Sequence, residues 1–90
     1  MSSRIVTVTS SAGLHARPAT LISQAAANAG VPVTIGRPGQ DAVDASSVLL
    51  LMTLGVGHGE DVEVTVDGDD AVLDSIVDLV ATDLDAEDAS

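Results

Sequence analysis

Gly13-Leu14-His15-Ala16-Arg17-Pro18-Ala19 runs into an alanine-rich segment, Thr20 to Ala29, and stops at Gly30. These residues describe a helix with both ends marked. Proline is accommodated in a first turn, where its missing N–H is no loss. Ala19, Ile22, Ala26 and Ala29 recur at helical spacing, and Gly30 stands where a C′ glycine belongs. The spacing predicts a helix from about Ala16 to Ala29, with His15 at the N-cap or just before it. Histidine is a poor cap; Ser, Thr, Asp or Asn would serve stability better. Two readings follow. His15 merely starts a helix, or a nucleophile occupies the place where unpaired amides and the positive dipole end collect, with a guanidinium two residues on. In the second, an imidazole nitrogen takes a phosphoryl group, and the resulting anion lies beside helix-end N–H donors and Arg17.

Outward from this helix the hydrophobic period changes to two. Arg4 to Thr9 reads as a strand with Val6 and Val8 on one face, and Ser10 to Gly13 is the loop that delivers His15. On the other side, Val31, Val33 and Ile35 alternate inward, with Pro32 where no ladder donor is needed. Arg37-Pro38-Gly39-Gln40 is a turn, and Asp41 to Asp44 a short returning strand. Ser46 to Leu54 reads as a short helix capped by either serine and ended by Gly55. Leu50, Leu51 and Leu54 can fill the core, which leaves part of Val48, Leu49 and Met52 exposed. Gly57-His58-Gly59 is a loop, and Asp61 to Val66 is the clearest strand, with Val62, Val64 and Val66 on one face. A last helix starts near Asp69 with Leu73, Ile76, Val77, Val80 and Leu84 on one stripe, and Asp85 to Ser90 is a frayed acidic tail.

The order is therefore β-α-β-β-α-β-α. Strands with one apolar face need covering once, so the fold class is α+β: an antiparallel-rich sheet with every helix on one side. Ninety residues make one small domain, 1–90. The chain has no cysteine, so neither disulfides nor thiolate chemistry enter. The N-terminus lacks an apolar signal core and no apolar run could span a bilayer, so the expected location is the cytoplasm.

Three arginines and no lysine face 14 acids, eleven of them Asp, for a formal net charge of −11. Such a chain repels nucleic acid and anionic membranes, which excludes both as partners. Because 46% of the residues are hydrophobic and fall in periodic segments, folding rather than disorder is expected. An Asp-rich, lysine-free surface fits a halophile, with an acidic actinobacterial source as the rival. Within the last helix Asp74 and Asp78 lie four apart, and Asp83 and Asp85 crowd its negative end. Each such pairing should cost about 0.2–0.5 kcal/mol at low salt.

Gly13-Leu14-His15-Ala16-Arg17-Pro18-Ala19 resembles the active-site motif of the HPr family, the histidine phosphocarriers of the bacterial sugar phosphotransferase system. Asp44-Ala45-Ser46-Ser47-Val48-Leu49 and Met52-Thr53-Leu54-Gly55 resemble that family's second characteristic region, at the expected distance. The resemblance implies an open-faced sandwich of four strands and three helices. It implies that phosphorylated Enzyme I, charged from phosphoenolpyruvate, passes its phosphoryl group to His15, the carrier. Arg17 and the amides of Ala16 and Arg17 would hold the phosphoryl oxygens before transfer to a IIA domain. It implies no cofactor on this chain, and the protein is expected to be a carrier, not an enzyme, and a monomer. A close alternative keeps the chemistry but serves a dihydroxyacetone kinase or a regulatory branch. A distant one is a non-phosphorylated binding module.

The resemblance also points to Ser47, which a dedicated serine kinase modifies in some relatives, though a plain N-cap accounts for it equally. The usual lysine before that serine is Ser46 here. Val48, Leu49 and Met52, with Thr20, Leu21 and Gln24 on the first helix, would form the partner-docking patch. Lysines found around that surface in relatives are replaced here by Gln24, Ala27 and Leu50, so apolar contacts and Arg17 would carry docking. His58, alone between glycines, reads as a surface residue; with two distant histidines and no cysteine, no metal site is expected.

Overall fold

The computed structural model describes residues 2–10 and 13–82. The elements run β1 (Ser2–Thr7), α1 (Ala16–Asn28), β2 (Val33–Gly36), β3 (Val43–Asp44), α2 (Val48–Thr53), β4 (Asp61–Val66) and α3 (Asp70–Ala81). The four strands form one sheet in the order β1-β4-β2-β3, and every pairing is antiparallel. This is the expected β-α-β-β-α-β-α architecture.

Register explains which strand residues face the helices. Ser2, Arg4 and Val6 lie opposite Val66, Val64 and Val62, and Val33 and Ile35 lie opposite Val66 and Val64. Directly opposed residues share a face, so these positions make the inner surface. The valines of β4 and Ile35 are fully buried there, packed with Ile22 of α1, Leu51 of α2 and Leu73, Ile76 and Val80 of α3. The core is wholly aliphatic, and burying each large side chain contributes about 1.5–3 kcal/mol. The inward Ser2 and Arg4 reach past the sheet edge to α3: the Ser2 hydroxyl donates to Asp70 at 2.6 Å, and Arg4 pairs with Asp74 at 2.8 Å. Asp74 therefore has a cation beside it, which offsets the repulsion from Asp78 that spacing alone suggests.

Several boundaries differ from the sequence expectation. β1 begins at Ser2 and ends at Thr7, because β4 supplies a partner to each residue from Ser2 to Thr7. Beyond it the ladder gives way to single bonds, Val8 N–H to Glu60 O and Gly59 N–H to Val8 O, both 2.9 Å. β2 begins at Val33, with Pro32 ahead of it, and β3 has only two residues. α2 is shorter than the expected Ser46 to Leu54, capped by Ser47, whose hydroxyl accepts from Leu50 N–H at 3.3 Å. α3 is capped by Asp69. The expectations for residues 11 and 12 within the His15 loop, for Asp83, Leu84 and Asp85, and for the tail to Ser90 lie outside the described residues.

Candidate functional site

The loop ahead of α1 is held from beneath. Leu14 is buried, and its N–H donates to Val56 O at 3.0 Å; Gly13 N–H donates to Ser10 O at 2.9 Å. Gly13 has φ +75° and lies flat on the next loop, where an added Cβ would overlap Val56 O and sit 2.6 Å from Gly57 Cα. Only glycine fits. His15 follows as the N-cap of α1, with extended backbone (φ −88°, ψ −168°) and its carbonyl accepting from Ala19 N–H at 3.0 Å. Its side chain makes no capping hydrogen bond, and the residue is half-buried. Ala16 and Arg17 occupy the exposed first turn, where a helix supplies no carbonyl of its own to the amides. Pro18 sits in that turn with its ring buried. A shallow depression of about 380 Å³ lies along the start of α1, lined by Ala16, Arg17, Thr20 and Leu21.

The sequence reading missed a second group beneath this loop. Arg37, in the turn after β2, donates to Glu60 at 2.7 Å and to the carbonyls of Leu54 (3.3 Å) and Gly55 (3.0 Å), closing the end of α2. The other oxygen of Glu60 accepts from Gly57 N–H at 2.7 Å. The Arg37 hydrogen bond, followed by that of Gly57, holds the Glu60 carboxyl below its ordinary value. The available signal was indirect: one of only three cations stands in a Pro-Gly turn.

The other candidates are distributed as follows. Ser47 caps α2, as one of its two readings requires. Ser46 is engaged by Asp44, which accepts from its amide (2.9 Å) and its hydroxyl (2.7 Å) and is thereby held below the ordinary carboxylate value. On α2 the expected division between core and patch is corrected at Leu50, and Val48 is half-buried. Val48 packs against the core, whereas Leu50 is 41% exposed beside Leu49 at 76% and Met52 at 42%. Val48, Leu51 and Leu54 recur every third residue and make the inward stripe; Leu50 stands one step, about 100°, off it. On α1, Thr20 and Gln24 are exposed and Leu21 half-exposed, and α1 and α2 pack against each other. His58 is exposed, its Nδ1 3.4 Å from Ser10 O. Among the described residues no three His, Asp or Glu side chains gather as a metal ion would need, and no helix is long and apolar enough to cross a membrane.

Comparison with known proteins bears on this geometry. Residues 2–82 match the family model described as "PTS HPr component phosphorylation site". The chain is 43% identical over 82 residues to the phosphocarrier protein HPr of Haloferax volcanii, covering 88% of this chain and 92% of that protein. It is 41% identical over 86 residues to the HPr of Streptomyces coelicolor, covering 93% and 92%. Both kinds of source left open by the acidic composition, halophile and actinobacterium, are thus represented. The crystal structure of HPr-C-His from Thermoanaerobacter tengcongensis superposes with a TM-score of 0.80 at 32% identity, over 89% of this chain and 91% of that one. The chain belongs to the HPr family of phosphocarriers of the phosphotransferase system.

Proposed function

We propose that the protein carries a phosphoryl group on His15, accepted from phosphorylated Enzyme I and passed to a IIA domain. The observation that carries this reading is the position of His15: an N-cap whose side chain does not cap, half-buried, two residues before an exposed arginine. The ring δ nitrogen, by family analogy, attacks the donor's phosphorus. A P–N bond forms to His15, and the donor's bond to phosphorus breaks with its electron pair returning to the donor. The developing dianion lies against the first turn of α1, where the dipole and the Arg17 guanidinium favour negative charge. Onward transfer reverses the step with a different partner.

Docking would use the depression beside Arg17 and Leu21 together with Leu49, Leu50 and Met52 of α2. That surface carries one cation and several aliphatic side chains, so association would depend on apolar burial more than on steering. Ser47 acts as a helix cap in this reading; Asp44 beside Ser46 makes the neighbourhood unfavourable for an added phosphate.

The test is incubation with Enzyme I and labelled phosphoenolpyruvate. Acid-labile label is expected in the wild type and absent from His15→Ala. A wild type that takes no label, or a variant that keeps it, overturns the proposal.

A further inference from the structure

We infer that Arg37 and Glu60 are positioning residues for phosphoryl transfer at His15, an inference that rests on the carrier reading above. Neither side chain is at the site. Their effect would run through two backbone loops in contact. Glu60 uses both carboxylate oxygens, one on Arg37 at 2.7 Å and one on Gly57 N–H at 2.7 Å. Arg37 uses its second nitrogen on the carbonyls of Leu54 and Gly55, at 3.3 and 3.0 Å. The segment from Leu54 to Glu60 is therefore clamped at its start by Arg37 and at its middle by Glu60. Its Glu60 N–H also closes onto Gly57 O at 3.2 Å.

This clamped segment is the surface on which the His15 loop lies. Val56 O accepts from Leu14 N–H, one residue before His15, at 3.0 Å. Gly13 leaves no room for a methyl group between itself and Gly57. A displacement of Val56 or Gly57 is therefore transmitted to Gly13 and Leu14 by a hydrogen bond and by direct contact. His15 begins α1, whose body is fixed by buried Ala19 and Ile22. Loop movement would accordingly change the angle at which the ring leaves the helix start rather than move the helix. Phosphoryl transfer is sensitive to such angles, because the attacking nitrogen must line up with the departing bond.

The experiment uses full-length Arg37→Ala, Glu60→Gln and the double variant, in molar KCl to favour folding, and measures phosphoryl acceptance from Enzyme I with rapid quench. Each single variant should lower kcat about tenfold and leave KM for Enzyme I within about twofold, since neither residue lines the docking surface and buried Leu51 still seats α2 against the core. The double variant should be no slower than the slower single one, because both act through one clamp. Arg37→Lys, which keeps the charge on Glu60 but not the fork, should recover part of the loss. Alongside, NMR should show faster Leu14 amide exchange and shifted His15 ring resonances in both variants, with the core valine methyl spectrum of β4 unchanged. Variants that transfer within twofold of wild type, or lose rate only through KM, overturn the inference. So do variants whose His15 and Leu14 signals do not move. If the wild type itself takes no label, the carrier reading fails, and the NMR comparison still decides whether the clamp positions His15.

Discussion

Gly13→Ala isolates the fit between the two loops, and Gly30→Ala is its natural control. Both glycines have nearly the same backbone angle, φ +75° and +76°. An alanine at either position takes on the left-handed conformation at a cost of about 1–2 kcal/mol. At Gly30 that is the whole effect, because an added Cβ meets nothing within 4 Å. At Gly13 the methyl group overlaps Val56 O and sits 2.6 Å from Gly57 Cα, and neither backbone is a flexible tip that can swing aside. Overpacking of that kind costs a further ~1–3 kcal/mol. For a domain of this size each kcal/mol moves the midpoint by about 4–8 °C. Gly30→Ala should therefore lose roughly 4–16 °C and Gly13→Ala roughly 8–40 °C. Thermal melts followed by circular dichroism, in one buffer with molar KCl, measure both. If Gly13→Ala melts no lower than Gly30→Ala, the loops are not in contact as described, and the account of how His15 is held fails with them.

Other perturbations test other parts. Leu51→Ala empties a fully buried site on α2 and should cost about 2–5 kcal/mol. Leu49→Ala, at a side chain 76% exposed, should leave stability within about 0.5 kcal/mol while weakening Enzyme I association, read as a higher KM. Ser47→Ala loses a cap bond of 3.3 Å and should cost about 0.5–1 kcal/mol in urea titration, without affecting His15 labelling. Because the net charge is −11, the melting temperature should climb from dilute buffer to molar KCl; an unchanged value would remove the halophile reading. Glu60 has its carboxyl held below the ordinary 4.5, so its contribution is present above that pH and is lost as pH falls through the depressed value. Glu60→Gln should correspondingly flatten the acid limb of the stability curve below about pH 4.5, measured by urea midpoints.

Where the sequence carried a period or a cap, the fold could be read from it. β4 alternates without interruption, so its bounds are those of the alternation, and α1 lies between the His15 and Gly30 signals, ending one residue short of Ala29. The start of β1 is not legible, because Ser2 and Ser3 have no apolar signature; they are strand only because β4 provides partners for them. β3 carries too few residues to show any period. On α2 an uninterrupted apolar run, Val48 to Met52, has no amphipathic contrast, so the inward side could not be told until Leu51 and Val48 were seen against the core. The site follows the same division. His15 and Arg17 announce themselves by residue type at a helix start. Arg37 and Glu60 lie 23 residues apart and meet only through the turn after β2 and the loop before β4, a tertiary fact with no local pattern.

The three cations of this acidic chain show how the site differs from the scaffold around it. Arg4 is on the edge strand and ties β1 to α3 through Asp74 at 2.8 Å. Arg37 ties the end of α2 to the loop before β4 through Glu60 and two carbonyls. Each joins elements that no long ladder connects, and each is paired with an acid at a contact distance that concentrated salt screens incompletely. Arg17 is placed on the exposed first turn of α1, two residues after a histidine whose side chain does not cap the helix. For stability an arginine is unwelcome there, because it faces the positive end of the dipole. The placement is intelligible when the helix start must receive a dianion, which reverses the sign of the local field for as long as the phosphoryl group is bound. Replacing Arg17 by Ala should therefore slow labelling of His15 by removing a charged group from the site itself, whereas Arg37→Ala slows it through the Leu14 amide and the loop beneath; only the second should speed Leu14 amide exchange.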